Sequence, residues 1–589
     1  MLSNPGQKQG AGESRRWERL FMQPDNRFLG DMVETATRIE PARVTGDPDG
    51  EQWDATCDVL VVGVGMAGVC AALRAAEDKS LDVLAIDRFS GGGASQLSGG
   101  VVYMGGGTPA QHEAGVEDTP ENMANYLGFE TGNLVRADTV RRYSEASAGF
   151  QAWLEGYGAR FGGPATEEKT SYPNDASLYF SGNEVTEPGR ALANPVQRGH
   201  RAKPPGGGEP SKLSGQYLLP PLIAAMERQP NVRFMRQTRA TRLVVDKTGA
   251  VVGLEALRIP GGFAAWRHAR YIGLVSNIAM TVLGFAGRLK GSIVALEKQA
   301  RPVRIRVRGG VVLASGGFIY NRAMMEKVAP EYLLASPLGT IGDDGSGIKL
   351  GMSVGAKTDM LERISAWKFL YPPESFTKSV SIDGQGERLV NEEFYGARTG
   401  EALFGRAGGL GWLILDAPLW SEVLREMHTA KKMFFQKVQY RAIENDYTTS
   451  ADSLAELAAK IGVPPARLEA TIAEYNRRID MGEPDATGKQ QKLRRKIAAG
   501  PFYASDIGTK AKMSPTSSIT VGGLVVDEDT GEVLSNEGGK VPGLYAAGRT
   551  AVGICSHYYV SGLSLGDCVY SGCRAAETIK GNGGAAALV

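Results

Sequence analysis

Apolar residues along this chain fall into continuous runs, alternating runs and helical patterns, and their order predicts the architecture. Val59–Val62 is a continuous apolar run inside CDVLVVGVGMAGVCAALRAAE, the pattern of a strand buried on both faces, and glycines and an alanine-rich helical pattern follow at once. A second run, LDVLAID, ends at Asp87, after which GGGASQLSGGVVYMGGGT makes Gly91–Thr108 a long glycine-rich loop. Residues 187–215 are rich in proline and glycine and predict a mobile surface loop. The stretch NVRFMRQTRATRLVVDKTGAVVGLEA alternates around a turn at Lys247–Gly249, which predicts a β-meander. RGGVVLASGGFIYN (Arg308–Asn321) predicts another buried strand, and SLAELAAKIGVPPARLEATIAEYNRRI two amphipathic helices split by Pro464 and Pro465. Short strands in TVGGLVVDEDTGEVLSNEGGKVPGLYAAGRT precede a closing helix in VSGLSLGDCVYSGCRAAETI.

These elements predict an α/β fold, a Rossmann-like nucleotide-binding domain with an inserted α+β domain. The boundaries read as an N-terminal extension at 1–56, polar with scattered Trp17, Phe21 and Phe28; the first part of the nucleotide domain at 57–257; an apolar, basic insertion at 258–303; a nucleotide-domain strand at 304–321; a catalytic domain at 322–505; and a C-terminal return to the nucleotide domain at 506–589. A chain of 589 residues exceeds what one core supports, so two lobes with a site between them are expected.

Charge narrows the partners. Lys plus Arg number 66 against 65 Asp plus Glu, a net charge of +1, which gives no electrostatic case for nucleic acid. The five cysteines have no metal-type spacing and an odd count, which argues against zinc and disulfides and for a reducing compartment. MLSNPGQKQGAGESRRWERLF has no apolar core before a small-residue cleavage site, so a cytoplasmic location is expected.

Gly63, Gly65 and Gly68 form G-x-G-x-x-G directly between strand and helix, where backbone N–H groups and the helix N-terminus meet a pyrophosphate. Asp87 closes the next strand about 20 residues on, placed to accept from a ribose diol. The fingerprint serves NAD and FAD alike.

The loop at Gly91–Gly107, AAGR at Ala546–Arg549 and SGLSLGD at Ser561–Asp567 resemble the fumarate reductase and 3-ketosteroid dehydrogenase flavoproteins over about 57–580. GGGTPAQ (Gly105–Gln111), QRGH (Gln197–His200), GFIYN (Gly317–Asn321) and YVSGLSLGD (Tyr559–Asp567) resemble the Δ4-(5α) branch in particular. The resemblance implies that the nucleotide domain binds FAD, through Gly63, Gly65, Met66, Ala67, Gly68, Asp87, Arg88, Gly93, Ala94, Ser95, Ser98, Gly99, Gly100, Ala240, Asp344, Gly548, Arg549, Ser564 and Leu565. ASQLSGG holds no histidine where some relatives attach flavin covalently, so non-covalent FAD is implied.

Introducing a double bond beside a ketone requires loss of an acidified proton from the α-carbon and of a hydride from the β-carbon, which flavin accepts. A neutral tyrosine, with pKa near 10, keeps its proton at pH 7 to hold the ketone oxygen. Tyr559 is the candidate, and the resemblance implies that it binds the ketone with a nearby backbone amide. Ser561 is expected to take the proton from carbon 4 and pass it to Tyr320, since a hydroxyl relay needs a second hydroxyl leading to solvent. Packed aromatics and turn serines are the structural alternatives. Two relatives remain open. Fumarate reduction is disfavoured because SPTSSITVGG (Ser514–Gly523) places Ile519 where those relatives have histidine, and the Δ1-dehydrogenases differ in having a Pro-Gly run after the last tyrosine in place of VSGLSLGD.

The chief departure from the resembling soluble enzymes is IPGGFAAWRHARYIGLVSNIAMTVLGFAGRLKGSIVALEKQARPVRIRV, where they have a short turn. Tyr271–Gly287 carries no charge over 17 residues, and as a helix of about 25 Å it falls short of the roughly 30 Å hydrocarbon layer. Arg267, Arg270, Arg288 and Lys290, with Trp266 and Tyr271 at the edge, suit an interfacial helix or hairpin on the inner face of the cell membrane; a core or dimer helix is the alternative. The expected partners are a hydrophobic steroid, an external electron acceptor and the membrane surface, with a homo-oligomer left open.

Overall fold

Five strands carry the site: β1 (Ala55–Val62), β2 (Val83–Ile86), β3 (Val251–Arg258), β4 (Arg301–Leu313) and β5 (Lys540–Ala546). The computed structural model describes residues 36–588 apart from 171, 174–175, 207–211, 279–282, 371–372, 406, 430–433, 511–515, 582–583 and 585–587, and the side chains of 275–289 and 430–439 are outside that description too. Most of the N-terminal extension, with Trp17, Phe21 and Phe28, therefore lies outside the described residues, as do Ser514 and Pro515.

The main sheet has nine strands among the described residues, in the order Arg43–Val44, Thr238–Val245, β3, β4, β1, β2, Val232–Met235, with β5 and its hairpin partner Glu532–Leu534 joining at β4. β1 pairs in parallel with β2 and with β4, so all three end on one edge. Successive residues of β1 point to opposite faces. Val59 and Val61 enter one core with the helices on that side, and Leu60 and Val62 enter the other with β3 and β4. This two-sided burial is what the unbroken apolar run dictates.

Helix α1 (Met66–Ala75) leaves β1 through Gly63, which sits at φ +96°. A Cβ there would come within 2.6 Å of the Ala314 carbonyl, and one on Gly68 within 1.8 Å of the Gly63 carbonyl, so only glycine permits the turn and the helix to lie this close to the strand. The closing helix, Leu563–Ile579, crosses α1 at similarly close range, a Cβ on Gly572 lying 2.4 Å from the Ala67 carbonyl.

The second lobe is built on an antiparallel sheet of Val380–Ile382, Trp412–Asp416, Phe502–Asp506 and Thr448–Ala451, with its own core of Val380, Ile414, Leu415, Leu419 and Val423. The two proline-divided helices are Leu454–Ile461 and Pro465–Asp480, with Pro465 in the first turn, where its missing N–H costs nothing. The architecture is a mixed α/β fold.

Two expectations change. Residues 187–215 are not simply a surface loop: Gly199–Arg201 is a buried strand, and Arg198, His200 and Arg201 are almost wholly enclosed, with Arg198 paired to Asp118 at 2.8 Å, His200 Nε2 sharing a hydrogen bond with Thr108 Oγ1 at 2.8 Å and Arg201 donating to the Pro173 carbonyl. The insertion folds as two helices, α2 (Phe263–Ile278) and α3 (Leu283–Glu297), and Arg301 already belongs to β4. Among the described residues no helix is long and apolar enough to cross a membrane.

Candidate active site at the carboxyl edge of the sheet

The carboxyl ends of β1, β2 and β4 border a cleft of about 840 Å³, counted out to open solvent, where a doubly wound sheet binds its ligand. Gly63, Gly65, Met66, Ala67, Asp87, Arg88, Gly93, Ala94, Ser95, Ala240, Gly548 and Arg549 line it. Thr37, Arg239, Asp343 and Cys568 line it as well, and sequence reasoning passed over these four.

Asp87 closes β2 at the cleft edge. Burial pushes its carboxyl up from the ordinary range, opposed by the N–H groups of Val64 (2.9 Å), Phe89 (2.7 Å) and Gly91 (3.3 Å). Oδ2 takes one of these bonds, which leaves it acceptor capacity for a hydroxyl. On the opposite wall Arg549 donates to Asp343 at 2.6 Å. Burial works against the Arg549 charge, but Asp343 outweighs it and the guanidinium is held firmly protonated.

Seven predicted cofactor residues stand outside this lining. Gly68 serves the close approach of helix to strand. Ser98, Gly99 and Gly100 shape the loop behind the cleft: Ser98 Oγ donates to the Ser95 carbonyl and accepts from Gly100 N, and the Gly99 carbonyl accepts from Tyr172. Asp344 is buried in the wall, accepting from Thr37 N (2.7 Å), Arg88 Nη1 (3.0 Å) and Ser346 N (3.0 Å), and it is its neighbour Asp343 that faces the cleft. Ser564 and Leu565 form the first turn of the closing helix.

The lining fits FAD on two counts. Arg549 Nη1, Arg239 Nε and Thr37 Oγ1 are buried polar groups without a hydrogen-bond partner, an arrangement that a diphosphate and ribose hydroxyls satisfy and that costs stability otherwise. The G-x-G-x-x-G turn opens onto the same cleft.

The hydroxyl cluster lies just before the closing helix. Tyr559 packs its ring on Trp367, with centroids 4.9 Å apart, and near Tyr395 at 6.3 Å; Phe369, partly exposed, continues this aromatic wall from Tyr395. Burial pushes the Tyr559 phenol up to about 12, partly offset by Ser564 and the Gly562 amide. Ser561 shares a hydrogen bond with Tyr179 at 3.0 Å, and burial also raises the fully enclosed Tyr179 phenol. The Tyr320 hydroxyl donates to the Pro337 carbonyl at 3.3 Å, and its ring belongs to the core that holds Phe318 and Met325, just before the Asn321-capped helix after β4. The hydroxyl bonded to Ser561 in this structure is that of Tyr179. Tyr179, Tyr395 and Trp367 carried no motif signal; only long-range packing brings them here. Ile519 is buried on the strand Ser517–Thr520.

Residues 58–565 match the family described as FAD binding domain. A 3-oxo-5-alpha-steroid 4-dehydrogenase of Comamonas testosteroni is 34% identical over 532 residues, covering 88% of this chain and 97% of that protein. A 3-oxosteroid 1-dehydrogenase of Mycolicibacterium smegmatis is 26% identical over 565 residues, 85% and 93% of the two chains. The crystal structure of a 3-ketosteroid-delta4-(5alpha)-dehydrogenase from Rhodococcus jostii RHA1, in complex with 4-androstene-3,17-dione, matches with a TM-score of 0.75 and 29% identity over 92% of this chain and 99% of that one.

Proposed function

The chain belongs to the FAD binding domain family, and on that premise we propose that it dehydrogenates 3-oxosteroids in ring A, placing the new double bond between carbons 4 and 5. The observation that carries this reading is the hydroxyl cluster: a partly buried, protonated phenol at Tyr559 two residues from Ser561, which is itself backed by Tyr179. The aromatic cluster of Trp367, Tyr395 and Tyr559, in which the first two rings are each tilted by 44° to the third, offers apolar surface beside the hydroxyls for a fused ring system.

Bound FAD supplies the hydride acceptor. The Tyr559 hydroxyl, kept protonated by burial, donates to the ketone oxygen and stabilises enolate charge as it develops. That polarisation acidifies carbon 4. Ser561 Oγ takes the proton from carbon 4 as it releases its own to Tyr179 Oη, and Tyr179 in the same shift gives up its phenolic proton toward solvent, so that both hydroxyls end neutral while the hydride leaves carbon 5 and the double bond forms between the two carbons. Arg549, Arg239 and the glycine turn, which line the cleft, would hold the cofactor there.

We further propose that the protein works in the cytoplasm with the α2–α3 hairpin resting on an anionic lipid surface. Phe263 and Trp266, 70% and 57% exposed, support this, together with Arg267 and Arg270 stacked on those rings. A sterol reaching the site from lipid avoids a step through water.

The deciding assay is incubation with 5α- and 5β-3-oxosteroids and an artificial electron acceptor, with products identified by mass and ultraviolet spectrum. A 4-ene-3-one product is expected. A 1-ene product moves the chain to the Δ1 reaction, and absence of turnover with reducible flavin removes the steroid reading.

A further inference from the structure

The hairpin's root, as distinct from its exposed start, meets the cofactor cleft. Glu297, the last residue of α3, is 7% exposed and holds Arg88 in a two-pronged pair, Nε to Oε1 at 2.8 Å and Nη2 to Oε2 at 2.9 Å. Its Oε2 also accepts from Arg239 Nη1 at 3.0 Å. Burial opposes the carboxylate, but Arg88, His268 and Arg239 together hold it down at about 2. Both arginines line the cleft.

From α2, His268 is fully enclosed, stacks on Phe89 with centroids 5.9 Å apart and brings Nε2 within 3.7 Å of Glu297 Oε1. Gln237 ties the two layers, its N–H donating to the Phe89 carbonyl and its amide to the Ala265 carbonyl on α2 at 2.6 Å. Ile293 and Leu296 of α3 are buried, and Ile293 joins the core that contains Phe89 and Ile86. The inserted segment thus backs Asp87, Arg88 and Phe89, three consecutive residues of the cleft wall.

We propose that the α2–α3 hairpin is a wall of the FAD site in this chain, with Glu297 as the positioning residue that sets Arg88 and Arg239 against the adenosine diphosphate half of the cofactor. That half is assigned because the acid ending the second strand of such a fold faces the adenosine ribose, and Arg88 is the next residue. Two guanidiniums side by side repel and wander unless an acid fixes both. Asp344 reaches Arg88 alone, and among the described residues Glu297 is the sole acid paired with Arg239. This role rests on FAD binding and not on the identity of the substrate, so it stands or falls separately from the steroid reading.

The experiment is reconstitution of the full-length apoprotein, following flavin fluorescence as FAD is titrated and as ADP competes, with no steroid present. Glu297→Gln is expected to raise the dissociation constants of FAD and ADP by the same factor, about tenfold or more, the size of one charge-assisted hydrogen bond. Glu297→Asp should recover most of the loss. Melting of the apoprotein reports folding; where the Gln variant does not fold, Glu297→Asp is read alone, and its shortened reach is expected to give a smaller joint loss of FAD and ADP affinity. Unchanged FAD affinity in a folded variant, or a loss for FAD with none for ADP, overturns the proposal.

Discussion

The hydroxyls of Ser561 and Tyr179 lie 3.0 Å apart, though the residues are 382 positions apart in sequence. A serine is a poor base by itself, so its usefulness depends on a second group that takes up its proton as it acquires one from carbon. Tyr179→Phe keeps the ring and deletes that acceptor. Turnover is expected to fall about 100-fold, at the low end of general acid–base contributions, with the flavin spectrum and steroid affinity little changed. Stopped-flow reduction of bound flavin by substrate is the direct measurement, and a rate equal to the parent removes Tyr179 from the relay.

Tyr559 carries a pH prediction. Its phenol is useful only while protonated, and burial raises it from the ordinary 10 to about 12. Its activity is therefore fully present below pH 10 and is lost as pH rises through about 12, so kcat/KM should show no Tyr559 limb between pH 8 and 10. The linkage has the same sign: the folded state binds this proton more tightly, and the stability it contributes drains over the same alkaline window. Tyr559→Phe should cost about 10²- to 10³-fold in kcat, the scale of removing one oxyanion donor, with FAD content unchanged.

The difference between Asp343 and Asp344 marks where the sequence stops being informative. Strand, glycine turn, helix and terminal Asp87 are neighbours in sequence, and their spacing sets their geometry directly. Tyr559 and Ser561 sit in one motif and arrive at the site together. Tyr179, Trp367 and Tyr395 come from other strands and loops, and no local pattern distinguishes them from core aromatics. Adjacent aspartates point opposite ways because of a tight turn, in which Asp343 Oδ2 accepts from Thr340 N at 2.8 Å while Asp344 turns toward Thr37 N; composition gives both residues the same claim. The insertion was visible as a departure, but its 209-residue link from Glu297 to Arg88 was not.

Arg549, a residue of the cleft lining, donates Nη2 to Asp343 while its buried Nη1 has no hydrogen-bond partner. Arg549→Met removes the cleft donor and strands a nearly buried carboxylate, so FAD affinity should fall about 10- to 100-fold. Arg549→Lys should recover little of it, since one ammonium cannot serve both directions with a planar fork's geometry. Flavin retained through gel filtration, followed by calorimetric titration, measures both variants; parental affinity in Arg549→Lys contradicts the two-arm description.

Membrane docking requires a test that spares Glu297. Deleting the hairpin removes His268 and Glu297 from behind Phe89 and Arg88 of the cleft lining, so a lost activity or a changed sedimentation would have two causes. Arg267 and Arg270 instead stack on exposed rings, and replacing them leaves the root in place. Each cation near an anionic surface is worth about 1 kcal/mol, so Arg267→Gln with Arg270→Gln should lower partitioning onto phosphatidylglycerol vesicles roughly 30-fold at low salt. Phe263→Ser with Trp266→Ser should lower it further, and on neutral vesicles too, because the apolar contribution is insensitive to lipid charge. FAD content should remain that of the parent in all four replacements. Added salt should weaken the parent's binding and barely affect the arginine variant. Equal sedimentation of parent and variants with anionic vesicles would remove the lipid surface as the hairpin's partner and leave its exposed aromatic pair to a protein contact.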